Sequence, residues 1–205
     1  ILSTLIFLPL ISSLFIFLSR GQKNNNGAIY ISLFSSLATF ILSLFIWYSM
    51  DYSSADFQFI EEQSWINDFI KFKLGIDGIS ILFIVLTTLI TPICIISCIN
   101  SVKDRVKEFL IAIMILETFM IGVFCSLDLV VFYLFFEAGL IPMFLIIGVW
   151  GGPKRVYSAF KFFLFTLLGS VLMLVAIIAI YWITGTTDVT QIYEIKIPKE
   201  YQNLL

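Results

Sequence analysis

The stretch D-L-V-V-F-Y-L-F-F-E-A-G-L-I-P-M-F-L-I-I-G-V-W-G-G, residues 128–152, decides the fold of this chain. From Leu129 to Trp150 it is almost continuously apolar. At about 1.5 Å of rise per residue, a helix of that length crosses a hydrocarbon core of about 30 Å. Near its middle lies Glu137, and a lipid-facing charge there would cost about 2.5–3.5 kcal/mol even on lenient insertion scales. We therefore expect Glu137 to face protein or water, or to be neutral.

The composition of the whole chain is that of an integral membrane protein. Of its 205 residues 60% are hydrophobic and 13% are charged, whereas about 25% of a soluble domain is charged. The chain has no histidine, which removes the commonest metal ligand and neutral-pH base. Cys94, Cys98 and Cys125 lie in apolar runs without a second ligand pair, so no metal site is predicted. Motifs for nucleotide or nucleic-acid binding are also missing from the sequence.

Six apolar runs are predicted to be membrane spans. They cover residues 1–19, 28–50, 79–100, 109–127, 129–150 and 159–184. Backbone groups in lipid must be hydrogen-bonded internally, and these runs are too long and too uniformly apolar for barrel strands. The expected fold class is therefore all-α, a polytopic transmembrane helical bundle. Residues 1–205 form a single membrane domain in this interpretation, with 51–77 as a surface-lying loop and 185–205 as a similar tail.

The basic residues of the short links predict the orientation of the chain. They concentrate in the first, third and fifth links, as Arg20, Lys23, Lys103, Arg105, Lys107, Lys154 and Arg155. The second link instead carries more acidic than basic residues. By the positive-inside rule, the odd-numbered links face the matrix or cytoplasm and the N-terminus faces the opposite side.

Three ionisable residues within or beside the spans are candidates for function. Glu137 is the first, because an intramembrane carboxylate commonly marks a proton or ion pathway, although it can also make one structural hydrogen bond or ion pair. Pro142 frees the carbonyl of Ala138, within one turn of Glu137, and this loosened turn could admit water. Glu117 either faces the same interior or is an interhelical hydrogen-bond donor while protonated. Lys161 either snorkels to the basic side or joins the proton path.

A family resemblance rests on three segments. They are F-F-E-A-G-L-I-P-M-F-L-I-I-G-V-W-G-G (Phe135 to Gly152), K-F-F-L-F-T-L-L-G-S (Lys161 to Ser170) and L-G-I-D-G-I-S (Leu74 to Ser80). Together they lie within residues 74–184 and closely resemble the chain 4 family of respiratory NADH–ubiquinone or NADH–quinone oxidoreductase, complex I. This family consists of antiporter-like subunits of the membrane arm.

The resemblance implies a proton-translocating subunit, coupled to NADH oxidation and quinone reduction elsewhere in the complex. In the family, the glutamate that matches Glu137 is a proton-path residue paired with a lysine on the seventh helix. The resemblance implies no cofactor on this chain, since FMN, the iron–sulfur clusters and quinone belong to other subunits. The implied partners are other membrane-arm subunits and the lipid bilayer, and no nucleic acid. The implied location is the mitochondrial inner membrane, with the bacterial plasma membrane as the alternative.

The sequence departs from the family in its length, because six spans are followed by neither the seventh-helix lysine nor a second inverted repeat. The chain is therefore expected to be an N-terminal portion of such a subunit, either truncated or completed by a second chain with the remaining helices. Two other functions stay open. One is a scaffold piece of a split subunit, and the other is a subunit of an Mrp-type cation/proton antiporter.

Overall fold

The structure is a computed structural model that describes residues 1–18, 25–54, 56–66, 70–193 and 195. These residues form long helices, an antiparallel two-stranded sheet and one short helix. The helices are α1 (Leu2–Leu18), α2 (Asn25–Tyr48), α3 (Ser80–Ser101), α4 (Val106–Cys125), α5 (Leu129–Trp150), α6 (Arg155–Thr184) and α7 (Val189–Ile192). The strands β1 (Gln58–Ile66) and β2 (Ile70–Ile76) lie between α2 and α3.

The predicted class, a helical membrane bundle, is confirmed. Each of the six apolar runs is helical, and α2 to α6 are long and apolar enough to cross a membrane. The helix α1 is a shorter apolar helix of 17 residues that contains Pro9. Long apolar runs form helices because every backbone group then finds its partner within the segment.

The buried core lies among α1, α2, α3 and α4. One cluster near the sheet includes Leu5, Ile46, Leu74, Ile84 and Ile121. A second cluster, at the opposite end, includes Ile16, Ala28, Ile95, Leu110 and Met114. The helix α4 packs against α1, α2 and α3 on one side and against α5 on another, and α5 packs against α6. The order of packing makes α4 the boundary between an inner bundle and an outer helix pair.

The second link, the fourth link and the segment after α6 meet at one end of the bundle. Leu127 in the turn between α4 and α5 donates its backbone N–H to the carbonyl of Lys73 on β2, at 2.9 Å. Leu129 donates to the carbonyl of Thr187, which follows α6, at 2.9 Å. A Cβ on Gly75 would lie only 2.4 Å from Leu127 Cδ1, so glycine permits this close approach. The hairpin and the segment after α6 therefore hold the turn that begins α5.

The surface segment at residues 51–77 is more ordered than the predicted loop. From 58 to 76 its described residues form the β1–β2 hairpin, with a register that pairs Gln58 with Ile76 and Ser64 with Lys71. Leu74 and Ile76, which belong to β2, are fully buried. Alternating side chains on a strand reach opposite faces, and here the apolar face covers the end of the helix bundle.

The third and fifth links meet at the other end. The indole nitrogen of Trp150 donates to the carbonyl of Asp104 at 2.9 Å, and the Trp150 ring packs edge-on against Phe109 at 5.1 Å. Arg155 donates to the carbonyl of Val149 at 2.7 Å. Arg20 and Lys23 of the first link, and the tail beyond residue 195, lie outside the described residues.

Candidate functional site

The helix that carries Glu137 begins at a well-formed cap. Asp128 Oδ1 accepts the backbone N–H groups of Val130 at 2.8 Å and Val131 at 3.2 Å. Asp128 Oδ2 accepts the hydroxyl of Thr187 at 2.5 Å. A carboxylate that takes up free N–H groups in this way stabilises the first helical turn. The helix α5 then continues through Pro142 to Trp150, which places Glu137 well inside the span.

The side of α5 that carries Glu137 faces α6. Phe144 packs against both Phe160 and Phe163 of α6, with ring centroids 5.4 Å apart in each pair. Glu137 precedes Phe144 by seven residues, nearly two full helical turns, and so lies on almost the same face. Ser170 follows Phe163 by the same interval on the antiparallel helix. Ser170 is buried, and it lies at the level of Glu137 on the facing side of α6.

The carboxylate of Glu137 is half-buried and incompletely hydrogen-bonded. Its Oε2 atom is buried and has no hydrogen-bond partner among the described residues. A buried carboxylate oxygen without a donor is costly when charged, so the group gains from a proton or from a cationic neighbour. This oxygen of Glu137 is therefore free to take a further donor among groups outside the described residues.

The neighbourhood of Pro142 is apolar. A groove of about 580 Å³ runs beside Ala138 and Pro142, between α5 and α4, and is lined mainly by apolar side chains such as Ile115 and Phe119. The helix is not interrupted at Pro142. The groove lies beside Ala138, the residue next to Glu137. Its mainly apolar walls provide few hydrogen-bond partners for water.

Glu117 is more deeply buried than Glu137. Its residue is 2% exposed, and neither carboxylate oxygen has a hydrogen-bond partner among the described residues. On α4 it shares a face with Met114 and Ile121, which belong to the inner core. Phe119 and Gly122 instead face α5, where they contact Phe135. Glu117 therefore points into the α1–α4 bundle.

The two glutamates lie at the same depth on opposite faces of neighbouring helices. The Phe119 and Phe135 rings, on α4 and α5, are 6.4 Å apart. Glu117 precedes Phe119 by two residues, and Glu137 follows Phe135 by two. Because α4 and α5 run antiparallel, both glutamates lie the same distance from the ring contact and in the same direction along the helix axes. Two residues also turn a helix by about 200°, which directs both carboxylates away from the shared interface. The structure does not bring Glu117 and Glu137 together.

Lys161 stands apart from both glutamates. The face of α6 that packs on α5 includes Ala159, Phe163 and Ser170. Lys161 lies two residues beyond Ala159, hence on the opposite face of the helix, and is exposed. It is also only two turns from the basic end of α6. Within this chain Lys161 does not face Glu137.

A buried ion pair joins the hairpin to the segment after α6, and the sequence analysis did not predict it. Lys73 Nζ donates to Asp188 Oδ2 at 2.6 Å and to Thr190 Oγ1 at 2.7 Å, and the two charged side chains are 10% and 8% exposed. Burial alone would raise the pKa of Asp188, but hydrogen bonds from Lys73 and Thr190 and the lysine charge lower it overall. The alternation of Phe72, Leu74 and Ile76 could have revealed the strand, but not this long-range partner.

Comparison with known proteins connects this arrangement to complex I. Residues 126–205 match the family described as "NADH:quinone oxidoreductase/Mrp antiporter, TM". NADH-quinone oxidoreductase subunit M of Rhodobacter capsulatus is 50% identical over 201 residues, which are 97% of this chain and 39% of that protein. NADH-ubiquinone oxidoreductase chain 4 of Marchantia polymorpha is 48% identical over 208 residues, covering 100% of this chain and 41% of that protein. The resemblance found in the sequence is therefore confirmed.

The fold also matches a solved structure. A chain of respiratory complex I from Thermus thermophilus with bound NADH superposes with a TM-score of 0.82 at 24% identity, covering 98% of this chain and 40% of that one. The antiporter-like helical fold is thus shared. The chain spans about two fifths of the length of the curated relatives that it matches.

Proposed function

We propose that this chain, as a homologue of subunit M and chain 4, is part of a proton-translocating membrane-arm subunit of complex I. NADH oxidation and quinone reduction would take place on other subunits, and this chain would belong to the enzyme as a proton-conducting part. The extent and identity of the relatives favour this function over a separate Mrp-type antiporter.

One observation carries the proposal. Glu137 lies within an unbroken membrane helix, half-buried, with one carboxylate oxygen lacking a donor among the described residues. At this oxygen the carboxylate gains from a further hydrogen-bond donor or from a positive neighbour. A neighbour that approaches would release the proton, and one that withdraws would allow the proton to return. Glu137 is thus proposed as the proton-path residue.

We propose different roles for the two other candidate residues, Glu117 and Lys161. Glu117 is proposed as a second proton-binding residue inside the α1–α4 bundle, because it is buried without a partner among the described residues. Lys161 is exposed on the face of α6 away from α5. It is proposed to act mainly by anchoring the basic end of α6 at the membrane boundary, with any role in proton transfer depending on other chains.

The proposed partners are the other membrane-arm subunits of complex I, the bilayer and a further polypeptide segment with the remaining helices. The apolar, largely exposed surfaces of α5 and α6 support such contacts. The proposal requires no cofactor on this chain. The mitochondrial inner membrane is the proposed location, with the bacterial plasma membrane as the alternative, since relatives from both sources exist. Lys103, Lys107 and Lys154 favour the odd-numbered end as the matrix or cytoplasmic side.

The test is Glu137→Gln in the intact complex, measured as NADH-driven proton uptake or release by sealed vesicles. We expect the initial rate of pumping to fall at least about tenfold, because the variant cannot exchange a proton at this position. Glu137→Asp is the matched control, since it shortens the side chain and keeps the acid. The amount of assembled complex is measured in parallel for both variants.

Near-normal pumping by the Glu137→Gln variant, with a normal amount of complex, would refute the proton-path role. The scaffold alternative predicts that result, and it predicts in addition that bulky substitutions at Gly139 or Gly169 lower the amount of complex.

A further inference from the structure

A row of hydroxyl side chains runs along the buried face of α2. Its members occupy positions i, i+3, i+4, i+7 and i+11, which share one helix face, and are Ser32, Ser35, Ser36, Thr39 and Ser43. Two of them continue to neighbouring helices. Ser35 Oγ receives a hydrogen bond from Ser12 on α1, and Ser43 Oγ lies 2.8 Å from Thr88 Oγ1 on α3. We call these hydroxyls, together with Thr88 and Thr91, the hydroxyl seam.

Packing alone accounts for part of the hydroxyl seam. Small side chains let membrane helices approach closely, and most of these hydroxyls donate to a carbonyl of their own helix. Thr39, for example, donates to the carbonyl of Ser35 at 2.7 Å, and Thr88 donates to that of Ile84 at 3.0 Å. Every such hydroxyl still has an oxygen that can accept a further hydrogen bond.

Glu117 is the feature that packing does not explain. The helices α1, α2 and α3 carry no charged side chain. Glu117 is therefore the one carboxylate that α4 directs into the core of this bundle, and it is 2% exposed without a hydrogen-bond partner among the described residues. An ionised carboxylate here would lack both a cation and donors, which is the most costly way to bury it.

Thr91 is placed to complete the missing interaction. Its side chain is buried on α3 and lies beside the Glu117 carboxylate. The Thr91 hydroxyl donates its own hydrogen to the carbonyl of Thr87 at 3.0 Å. While that bond is made, the Thr91 oxygen can still accept a hydrogen bond, and a protonated Glu117 is a group that can donate it. Thr88, the next member of the hydroxyl seam, lies one turn away on the same helix.

We propose that Glu117 binds a proton as a neutral acid that donates to Thr91 Oγ1, and exchanges it through the hydroxyl seam formed by Thr91, Thr88 and Ser43. In each transfer a hydroxyl or water oxygen accepts one proton and passes one on, so it ends neutral. The Glu117 carboxylate is the only charge left behind, and the reverse sequence restores the acid. This route lies in the α1–α4 bundle, on the side of α4 away from Glu137, and it rests on the proposed function for its role in pumping.

The experiment is infrared difference spectroscopy on the intact complex in native membranes, comparing the parent protein with Glu117→Gln at neutral pH. We expect the carbonyl band of one protonated carboxylic acid to disappear in the variant. The near-isosteric Thr91→Val should shift that band to higher frequency, because the acid loses its acceptor. Thr91→Ser is the matched control and should leave the band in place, because it retains the hydroxyl. The amount of complex is checked for each variant.

Two results would overturn the inference. One is the absence of any protonated-acid band that depends on Glu117, and the other is a band that Thr91→Val does not shift. The proposed function is tested by a separate measurement. The Glu117 band should persist in Glu137→Gln. If that variant pumps normally, the role of Glu137 is refuted, whereas the inference about Glu117 and the hydroxyl seam is unaffected. Exchange through the seam further predicts that Ser43→Ala slows loss of the band's deuterium shift after transfer from D₂O to H₂O. An unchanged rate would contradict the route.

Discussion

The inner bundle of α1 to α4 and the outer pair of α5 and α6 bury their membrane carboxylates to different extents. Half of the most apolar stretch of α4 is buried, against 17% in α5 and 11% in α6. Glu117 is enclosed by the inner bundle, whereas Glu137 lies half-buried between the two outer helices. The same residue type at the same depth is thus fully buried in one region and half-buried in the other.

The difference shows which interactions each region depends on. The inner bundle has two buried clusters, the hydroxyl seam and the hairpin over one end. The outer pair has few fully buried residues, and its exposed faces are apolar. Substitutions in the inner bundle and its hairpin should therefore change stability first, and substitutions around Glu137 should change pumping first.

The largest expected effect on stability is at the ion pair that joins the hairpin to the segment after α6. Lys73→Met leaves Asp188 buried without its cation, and we expect the free energy of unfolding to fall by about 3–5 kcal/mol. Thermal unfolding in detergent measures this loss. The double variant Lys73→Met with Asp188→Leu should recover most of it, because no charge then remains buried. A single variant as stable as the parent would contradict the account.

The same pair predicts a pH dependence. The pKa of Asp188 is below its ordinary value of 3.8 in the folded protein. The pair therefore stabilises the fold fully above about pH 4, and this contribution is lost as the pH falls through the lower folded-state pKa. Unfolding curves of the parent and of Asp188→Asn should converge on acidification. Curves that stay parallel down to the lowest pH would argue against the pair.

At the interface between α4 and α5, alanine substitutions at two glycines should have different effects on stability. A Cβ on Gly122 would lie 2.6–2.8 Å from the ring of Phe135, whereas one on Gly139 would lie 3.7 Å from Phe119 Cβ. Gly122→Ala should therefore destabilise the chain by about 1–3 kcal/mol through overpacking. Gly139→Ala, in the same interface, should be close to neutral. Equal unfolding temperatures for the two variants would contradict the packing described for α4 and α5.

A smaller effect is expected within the inner bundle. Thr88→Val removes the interhelical hydrogen bond to Ser43 and should cost about 0.6–1.5 kcal/mol, the range for such bonds in membranes. Thr87→Val is the control, because Thr87 is half-buried and its hydroxyl donates to the carbonyl of Phe83 in its own helix rather than to a neighbouring helix. Chemical or thermal unfolding of the two variants provides the comparison, and a larger loss for Thr87→Val would reverse it.

The smallest effect on pumping is expected at Lys161. The side chain is exposed and turned away from α5, so Lys161→Gln should lower NADH-driven pumping much less than Glu137→Gln. Vesicle assays at equal amounts of complex measure both. Equal losses would show that Lys161 takes part in the proton path through a neighbour outside this chain.

The sequence predicted the helices well and the relations between them poorly. Runs such as 129–150 fix a helix because length and apolarity leave no other form in lipid. The hairpin was missed, although the alternation of Phe72, Leu74 and Ile76 is typical of a strand. The pairing of Lys73 with Asp188 joins residues far apart in the chain, which no local pattern reveals.

The residues of the candidate site were selected from the sequence, which does not reveal their geometry. Glu137 and Glu117 are conspicuous as charges in apolar runs. Their opposite directions depend on which faces of α4 and α5 meet, and that is decided by Phe119, Gly122 and Phe135. Many apolar residues on each helix could have formed that interface. Only the packed structure distinguishes the fully buried acid from the half-buried one.

The most direct test of the account is the number of protons translocated per NADH oxidised by the complex that carries Glu137→Gln. Our account predicts a clear fall in this number, or loss of coupled turnover, with normal assembly and with substantial recovery in Glu137→Asp. An unchanged number of protons per NADH in a fully assembled Glu137→Gln complex would contradict it.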